Sequence, residues 1–313
     1  MNILPVISHF KDQMEVIYKD FHQHPEIGFE EVRTSQIVAQ YLNDFGVDEV
    51  HTQIGVTGVV GVIRGKHAGN RRVGLRADMD ALPIHEETDL PYKSQADGKM
   101  HACGHDAHTT MLLGAAKHLA QTRNFQGEVI VIFQPAEEGL GGAKAMIEDG
   151  LFDRFPCDEV YGMHNSPSGK PGSFEICRGA AMAGAAFFDI HVTGQGAHAA
   201  MPQNSKDAIQ ITNSLITDLN AIISRNVPPL DTCVLSITQV HAGSAYNVIP
   251  QTAHLCGTIR YFKDDIFNLV CDRMQAICKG VATAYDAEVN LDIRHAFTVL
   301  EKDHDLSSAY LHA

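Results

Sequence analysis

The feature that most limits the fold of this chain is a change of rhythm near residue 185. Before it, short apolar runs alternate with helical segments. GVVGVI (58–63), RVGLRA (72–77), EVIVIF (128–133) and DEVYGMH (158–164) read as strands, and TTMLLGAAKHLAQT and GAKAMIEDG as helices between them. Upstream, residues 5–46 read as two helices broken at His24-Pro25, the second ending at Gly46. Strands that alternate with helices predict an α/β sheet with helices on its faces. After residue 185 the order becomes strand (185–194), helix (205–225), strand (233–241), strand (252–262), helix (264–285) and strand (287–295). That β-α-β-β-α-β order is the ferredoxin-like arrangement. With 313 residues the chain is long enough for two cores, so two domains are expected: residues 1–182, then 183–296, with 297–313 starting a return to the first.

The net charge of −14, from 24 basic and 38 acidic residues, provides no basic footprint for nucleic acid and would be repelled by an anionic membrane surface. A small-molecule partner is expected instead. Lys11, Asp12 and Glu15 interrupt the first apolar stretch, which argues against a signal peptide, and no apolar run approaches a membrane span. The seven cysteines are scattered and odd in number, which fits reduced thiols in a cytoplasmic protein. Six of them are expected to pack as small hydrophobes. Cys103 is the exception.

Cys103 belongs to MHACGHDAH (100–108), which puts one cysteine, three histidines and an aspartate into nine residues. Cys103 and His105 are two apart, so in an extended loop both side chains leave one face and reach one cation. Thiolate and imidazole suit zinc, cobalt, nickel or manganese better than calcium or magnesium. His101, Asp106 and His108 are near enough to support the ligands, since a ligand histidine commonly hands its other ring nitrogen to a carboxylate or carbonyl.

The other chemically suggestive residues follow predicted strands, where open α/β sheets place ligands. Glu137 and Glu138 follow EVIVIFQPA, and adjacent carboxylates permit one to bind a metal while the other deprotonates water. The plain alternative is a solvated acidic loop. His164 ends another strand. Asp78 and Asp80, in RADMDALP (76–83), either bind metal directly or orient a ligand, and orientation is the expected role of both.

RADMDALP, MHACGHDAH, QPAEEG (134–139), GMHN (162–165), GAHAAMP (196–202), NVIP (247–250) and GTIR (257–260), in that order, resemble the M20 metallopeptidase and amidohydrolase family. The match is with its branch of hippurate hydrolases, N-acyl-amino-acid deacylases and auxin-conjugate hydrolases, and it runs from about His22 onward. The resemblance implies a catalytic domain with two divalent metals and an inserted ferredoxin-like lid that also forms a homodimer. It implies that Cys103 bridges the metals, that His105 and His164 complete one side, and that Glu138 binds the other. Glu137 would be the general base. His198 would reach the partner subunit's site and stabilise the oxyanion, while Asn247 and Arg260 would hold the substrate's free carboxylate.

The implied reaction is hydrolysis of an N-acyl amino acid, hippurate-like or N-acetylated. Its rivals are a dipeptidase of the same family and a truncated homologue that only binds or dimerises. Two departures from the family pattern stand out. Gln203 replaces a histidine, and the sequence is expected to stop before the family's last metal-ligand histidine, with neither His304 nor His312 in that motif's context.

Overall fold

The computed structural model describes residues 5–170, 172–177, 179–303 and 305–306; His304 and His312 lie outside the described residues. The chain divides into two compact units, Met1–Ser173 and Phe174–Ala313.

The first unit contains α1 (Pro5–Ser8), α2 (Lys11–Gln23), α3 (Val32–Asp44), β1 (Glu49–Ile54), β2 (Gly58–Arg64), β3 (His67–Asp78), α4 (His105–Thr122), β4 (Gln126–Gln134), α5 (Gly142–Glu148), α6 (Leu151–Arg154) and β5 (Glu159–Gly162). Its five-stranded sheet has the order β1-β2-β4-β3-β5. β4, β3 and β5 run parallel, and β1 and β2 join antiparallel. Strand β1, which the apolar runs had not announced, carries the sequence EVHTQI; most of it is only partly buried, so it lacks the continuous hydrophobic signal of its neighbours.

β2 and β4 carry continuous apolar runs, Val59–Ile63 and Val129–Phe133, because both of their faces are covered. Val59, Ile63, Val129, Val131 and Phe133 pack with Ile17, Phe21, Val38, Leu42 and Leu113 of α2, α3 and α4. The alternate residues Val60, Val62, Ile130 and Ile132 pack with Met146, Leu151 and Phe155 around α5 and α6. This two-sided core holds the three parallel strands in register: Asp78 lies opposite Gln134, and Arg76 opposite Gly162. Their carboxyl ends therefore open at one edge of the sheet.

The second unit contains β6 (Gly179–Met182), β7 (Gly184–Thr193), β8 (Ala197–His198), a 3-10 turn (Pro202–Asn204), α7 (Ala208–Asn226), β9 (Cys233–Ala242), β10 (Val248–Ile249), β11 (Thr252–Tyr261), α8 (Asp264–Tyr285), β12 (Glu288–Phe297) and β13 (Leu300–Lys302). The main sheet is antiparallel with order β12-β7-β11-β9, and β7-α7-β9-β11-α8-β12 is the expected ferredoxin-like order. Two short ribbons, β8-β10 and β6-β13, were not anticipated. Alternation sorts the sheet's faces. Phe188, Ile190, Val192, Leu255 and Ile259 pack with Ile211, Leu215, Leu219, Val270 and Met274 of the two helices. Asp189, His191, His254 and Cys256, which alternate with these, occupy the other face.

The cysteines divide in a way that corrects the uniform packing expectation. Cys157, Cys233, Cys271 and Cys278 join hydrophobic clusters. Cys177 is exposed, and Cys256 lies among polar groups because strand alternation turns it away from the helices. Among the described residues no helix is long and apolar enough to cross a membrane.

β11 makes a tight approach at Gly257, beside an irregularity in its pairing with β9. A Cβ there would come within 2.2 Å of both the Phe188 ring and the Ser236 carbonyl oxygen. Gly257→Ala is expected to destabilise the chain by about 1–3 kcal/mol, the usual cost of forcing extra volume into a packed site. Equilibrium urea unfolding of the two proteins measures the loss.

Candidate metal centre

The centre is assembled where β3, β4 and β5 end. β3 delivers Asp78 and then Asp80; β4 leads through Pro135 and Ala136 to Glu137 and Glu138; β5 leads to His164. α4 starts at His105, just after Cys103, and its N-cap Gly104 has φ +93°. That left-handed conformation favours glycine, and a Cβ would approach the Asn165 side chain to 2.5 Å. Gly104 thus lets the cysteine-histidine turn lie against the segment carrying His164.

His105 is completely buried. Its Nδ1 lies 2.8 Å from the Asp80 carbonyl oxygen and 3.2 Å from Asp80 Oδ1. A carbonyl can only accept, so Nδ1 carries the proton and Nε2 presents a lone pair. That Nε2 is buried without a hydrogen-bond partner among the described residues, 3.7 Å from Asp78 Oδ2 and 4.0 Å from Glu137 Oε2. His164 follows the same logic: its Nδ1 donates to the Asn165 carbonyl at 2.7 Å, and its Nε2 lies 3.4 Å from Cys103 Sγ.

Donor atoms of Cys103, His105 and His164 lie within 4.8 Å of one another, as do those of His105, Glu137 and Glu138. These overlapping sets combine thiol, imidazole and carboxylate, a donor chemistry suited to zinc and neighbouring transition metals. The unpartnered His105 Nε2 is the observation that makes the fit specific. A buried nitrogen lone pair without a donor is costly, and a cation would satisfy it.

The electrostatics agree. Burial, reinforced by the nearby carboxylates of Glu138, Glu137 and Asp78, pushes the Cys103 thiol up to about 12. Burial and the charges of Asp78 and Glu138 also raise the Glu137 carboxyl above its ordinary range. Such a crowd of acidic groups is relieved by positive charge, and a coordinating thiol loses its proton.

The supporting groups are only partly those expected. Asp80 holds the His105 proton on one side and accepts the Glu138 backbone N–H at 2.9 Å on the other. Asp78 lies 2.6 Å from His108 Nδ1 and accepts from Arg76 at 2.7 Å. Burial opposes its charge, but the His108 hydrogen bond and the Arg76 and histidine charges outweigh burial and hold the carboxyl well below the usual range. Sequence reading missed Asn165, whose N–H donates to His108 Nε2 at 3.0 Å. It also missed Glu31, a buried carboxylate that accepts from Thr57 at 2.6 Å and from Ala136 N at 2.7 Å. Glu31 thereby pins the turn, strained at Ala136 with φ +48°, that presents Glu137 and Glu138. Asn165 stands in GMHN but nothing local signals its contact with His108, and Glu31 lies in none of the quoted motifs. His101 is buried with both ring nitrogens unpartnered among the described residues, and burial lowers its pKa to about 4.

The remaining predicted site residues belong to the second unit. His198 is exposed on β8 opposite Val248, and its Nδ1 accepts from Ala200 N at 3.1 Å. Ala199 N donates to the Asn247 carbonyl at 3.0 Å, so the ribbon brings His198 and Asn247 together. Arg260 lies on β11 with its guanidinium 5.9 Å from the centre of the Phe187 ring.

An α/β sheet with thiol, imidazole and paired carboxylates gathered at its parallel strand ends, followed by a ferredoxin-like unit, is the architecture of a metal-dependent hydrolase. Residues 74–310 match the peptidase family M20/M25/M40, and the chain belongs to that family. It is 47% identical over 292 residues to a hippurate hydrolase of Campylobacter jejuni, covering 93% of this chain and 76% of that protein. It is 39% identical over 271 residues to an N-acetylcysteine deacetylase of Bacillus subtilis, covering 86% and 70%. Among solved structures it resembles the YXEP protein of Bacillus subtilis, described as a dinuclear metal binding peptidase from the M20 family. The TM-score is 0.83 at 33% identity, over 97% of this chain and 79% of the other.

Replacing Asp80 with alanine removes the Oδ1 contact to the His105 ring and the acceptor of the Glu138 backbone N–H, leaving only the backbone carbonyl of residue 80 to hold the imidazole. Asp80→Ala is expected to weaken binding of zinc or cobalt at this centre by about 10–100-fold, the usual effect of losing a group that orients a ligand histidine. Competition titration against a chelator of known affinity measures the change.

Proposed function

We propose that this chain is a metal-dependent amidohydrolase that cleaves the amide bond of N-acyl amino acids. The observation that carries the reading is the buried, unpartnered Nε2 of His105, facing the thiol and carboxylates of a family of hydrolases. Relatives named for hippurate and N-acetylcysteine support an amide between an acyl group and an amino acid as the substrate.

In this reading Cys103, His105, Glu138 and His164 would hold two divalent ions drawn from zinc, manganese, cobalt and nickel. Bound there, the ions supply Lewis acidity and lower the pKa of water. Asp80 keeps His105 in the tautomer that offers Nε2, and Asp78 fixes His108 and Arg76 beside it. Glu137 takes the proton from the attacking water and delivers it to the leaving amine nitrogen. Its carboxylate, beside His105 and Glu138, is placed to serve both transfers.

Residues 1–182, with the return beginning at 297, serve as the catalytic domain, and residues 183–296 as a lid that pairs two copies. His198 stabilises the oxyanion in the partner subunit's site. Asn247 and Arg260 grip the free carboxylate of the amino-acid half, a task for which the planar fork of arginine is suited. The free state of all seven cysteines supports action in the cytoplasm.

The test is hydrolysis of N-benzoyl and N-acetyl amino acids by metal-loaded protein, compared with free dipeptides. Glu137→Gln is expected to retain bound metal while kcat falls by about 10²–10⁴-fold, the contribution of a positioned general base. Undiminished turnover in that variant, or a metal-loaded parent that cleaves dipeptides but no acylated amino acid, would overturn the assignment.

A further inference from the structure

The helix-free face of the second unit's sheet carries a second set of metal-type donors, distinct from the metal-binding residues assigned above. His254 and Cys256 are two apart on β11, with buried Leu255 between them, so both leave the same face. On the neighbouring strand β7, Asp189 stands directly opposite Cys256, and His191 opposite His254. His254 Nε2 lies 2.7 Å from Asp189 Oδ1 and 3.2 Å from Cys256 Sγ, and the sulfur lies 3.1 Å from the same carboxylate oxygen. Three donor atoms of three chemical kinds thus form one small triangle.

The arrangement is poorly explained as nucleophilic machinery. A cysteine-histidine-aspartate relay uses opposite nitrogens of the imidazole, one for the thiol and one for the carboxylate. Here Asp189 and Cys256 both approach Nε2, as ligands around a common centre do. The surroundings restrain the three side chains. Asp189 Oδ2 accepts from Arg294, which also donates to Asp292 at 3.0 Å. The His191 ring stacks on His254 at 4.3 Å with an interplanar angle of 2°. Asp189 is thus held through the oxygen that does not face the cluster, and His254 is held flat from one side.

We propose that Asp189, His254 and Cys256 form a binding site for one zinc-class divalent cation, separate from the centre at the ends of β3, β4 and β5. Metal–ligand bonds of about 2.0–2.3 Å at tetrahedral angles separate donor atoms by roughly 3.3–3.6 Å. The observed triangle therefore has to open by about half an ångström, most between His254 and Asp189, through side-chain rotations on a partly exposed face. Before binding, the thiol donates to Asp189 Oδ1 and remains protonated, its pKa raised by burial and the Asp189 charge. On binding, the S–H bond breaks, the proton passes to solvent, and sulfur, imidazole nitrogen and carboxylate oxygen each donate a lone pair to the cation. Three protein ligands leave a fourth position for water. A cation so held would link the two central strands of the sheet through their side chains.

The test uses the full chain stripped of metal and then titrated with zinc or cobalt. In the unmodified protein, zinc is expected to slow iodoacetamide alkylation of Cys256 by about tenfold or more, because a coordinated thiolate is no longer a free nucleophile. Alkylation of the exposed Cys177 serves as an internal reference. Cys256→Ser is expected to lose one bound ion per chain by elemental analysis, together with part of the sulfur-to-cobalt charge-transfer absorption. The part that remains disappears in Cys103→Ser. Arg294→Ala, which frees the far oxygen of Asp189, is expected to weaken the site by about tenfold. Alkylation of Cys256 that zinc does not slow, or an ion count and cobalt spectrum unchanged in Cys256→Ser, would overturn the proposal. The alkylation arm needs no variant, so a substitution that disturbs folding does not rescue it.

Discussion

The first unit's centre depends on one short interaction, the hydrogen bond from His105 Nδ1 to Asp80. It selects the tautomer that turns the Nε2 lone pair toward the carboxylates, and it does so on a fully buried side chain. Through its side chain Asp80 also accepts the Glu138 backbone N–H, so a residue beyond β3 sets both the imidazole from α4 and the acidic turn beyond β4. The parallel register of β3 and β4 places these groups within reach, and the two-sided packing of β2 and β4 maintains that register. Apolar burial far from the chemistry is what makes a hydrogen bond at the chemistry dependable.

The second unit applies a different rule. Its sheet is covered on one face only, so alternation places a hydrophobic residue against α7 or α8 and the next residue away from them. Polar side chains on that face are not excluded by packing, and neighbouring strands bring them side by side at each register position. His241, His254 and His191 lie across three strands for this reason, with Cys256 and Asp189 one step along.

Much of this was legible in the sequence because the signals were local. Continuous apolar runs announced β2 and β4, the β-α-β-β-α-β order announced the second unit, and the two-residue spacing of Cys103 and His105 announced a shared direction. What escaped detection was long-range or weakly patterned. Glu31 acts on Ala136, 105 residues away, and His108 meets Asn165, 57 residues away, and nothing periodic links either pair. β1 was missed because its half-exposed residues carry no apolar run. Cys256 was assigned to packing on residue type, although its position two residues from His254 and one from buried Leu255 already set it on the polar side of β11.

Accessibility across the first centre is graded. His105 is sealed, Cys103, Glu137 and Glu138 are half-buried, and His164 is exposed. The centre therefore has a floor and a mouth. A cation entering from solvent would meet the His164 and carboxylate side before the buried imidazole of His105. Its release would begin at that deepest contact, so the gradient of burial that opens the centre to a cation would also oppose its loss.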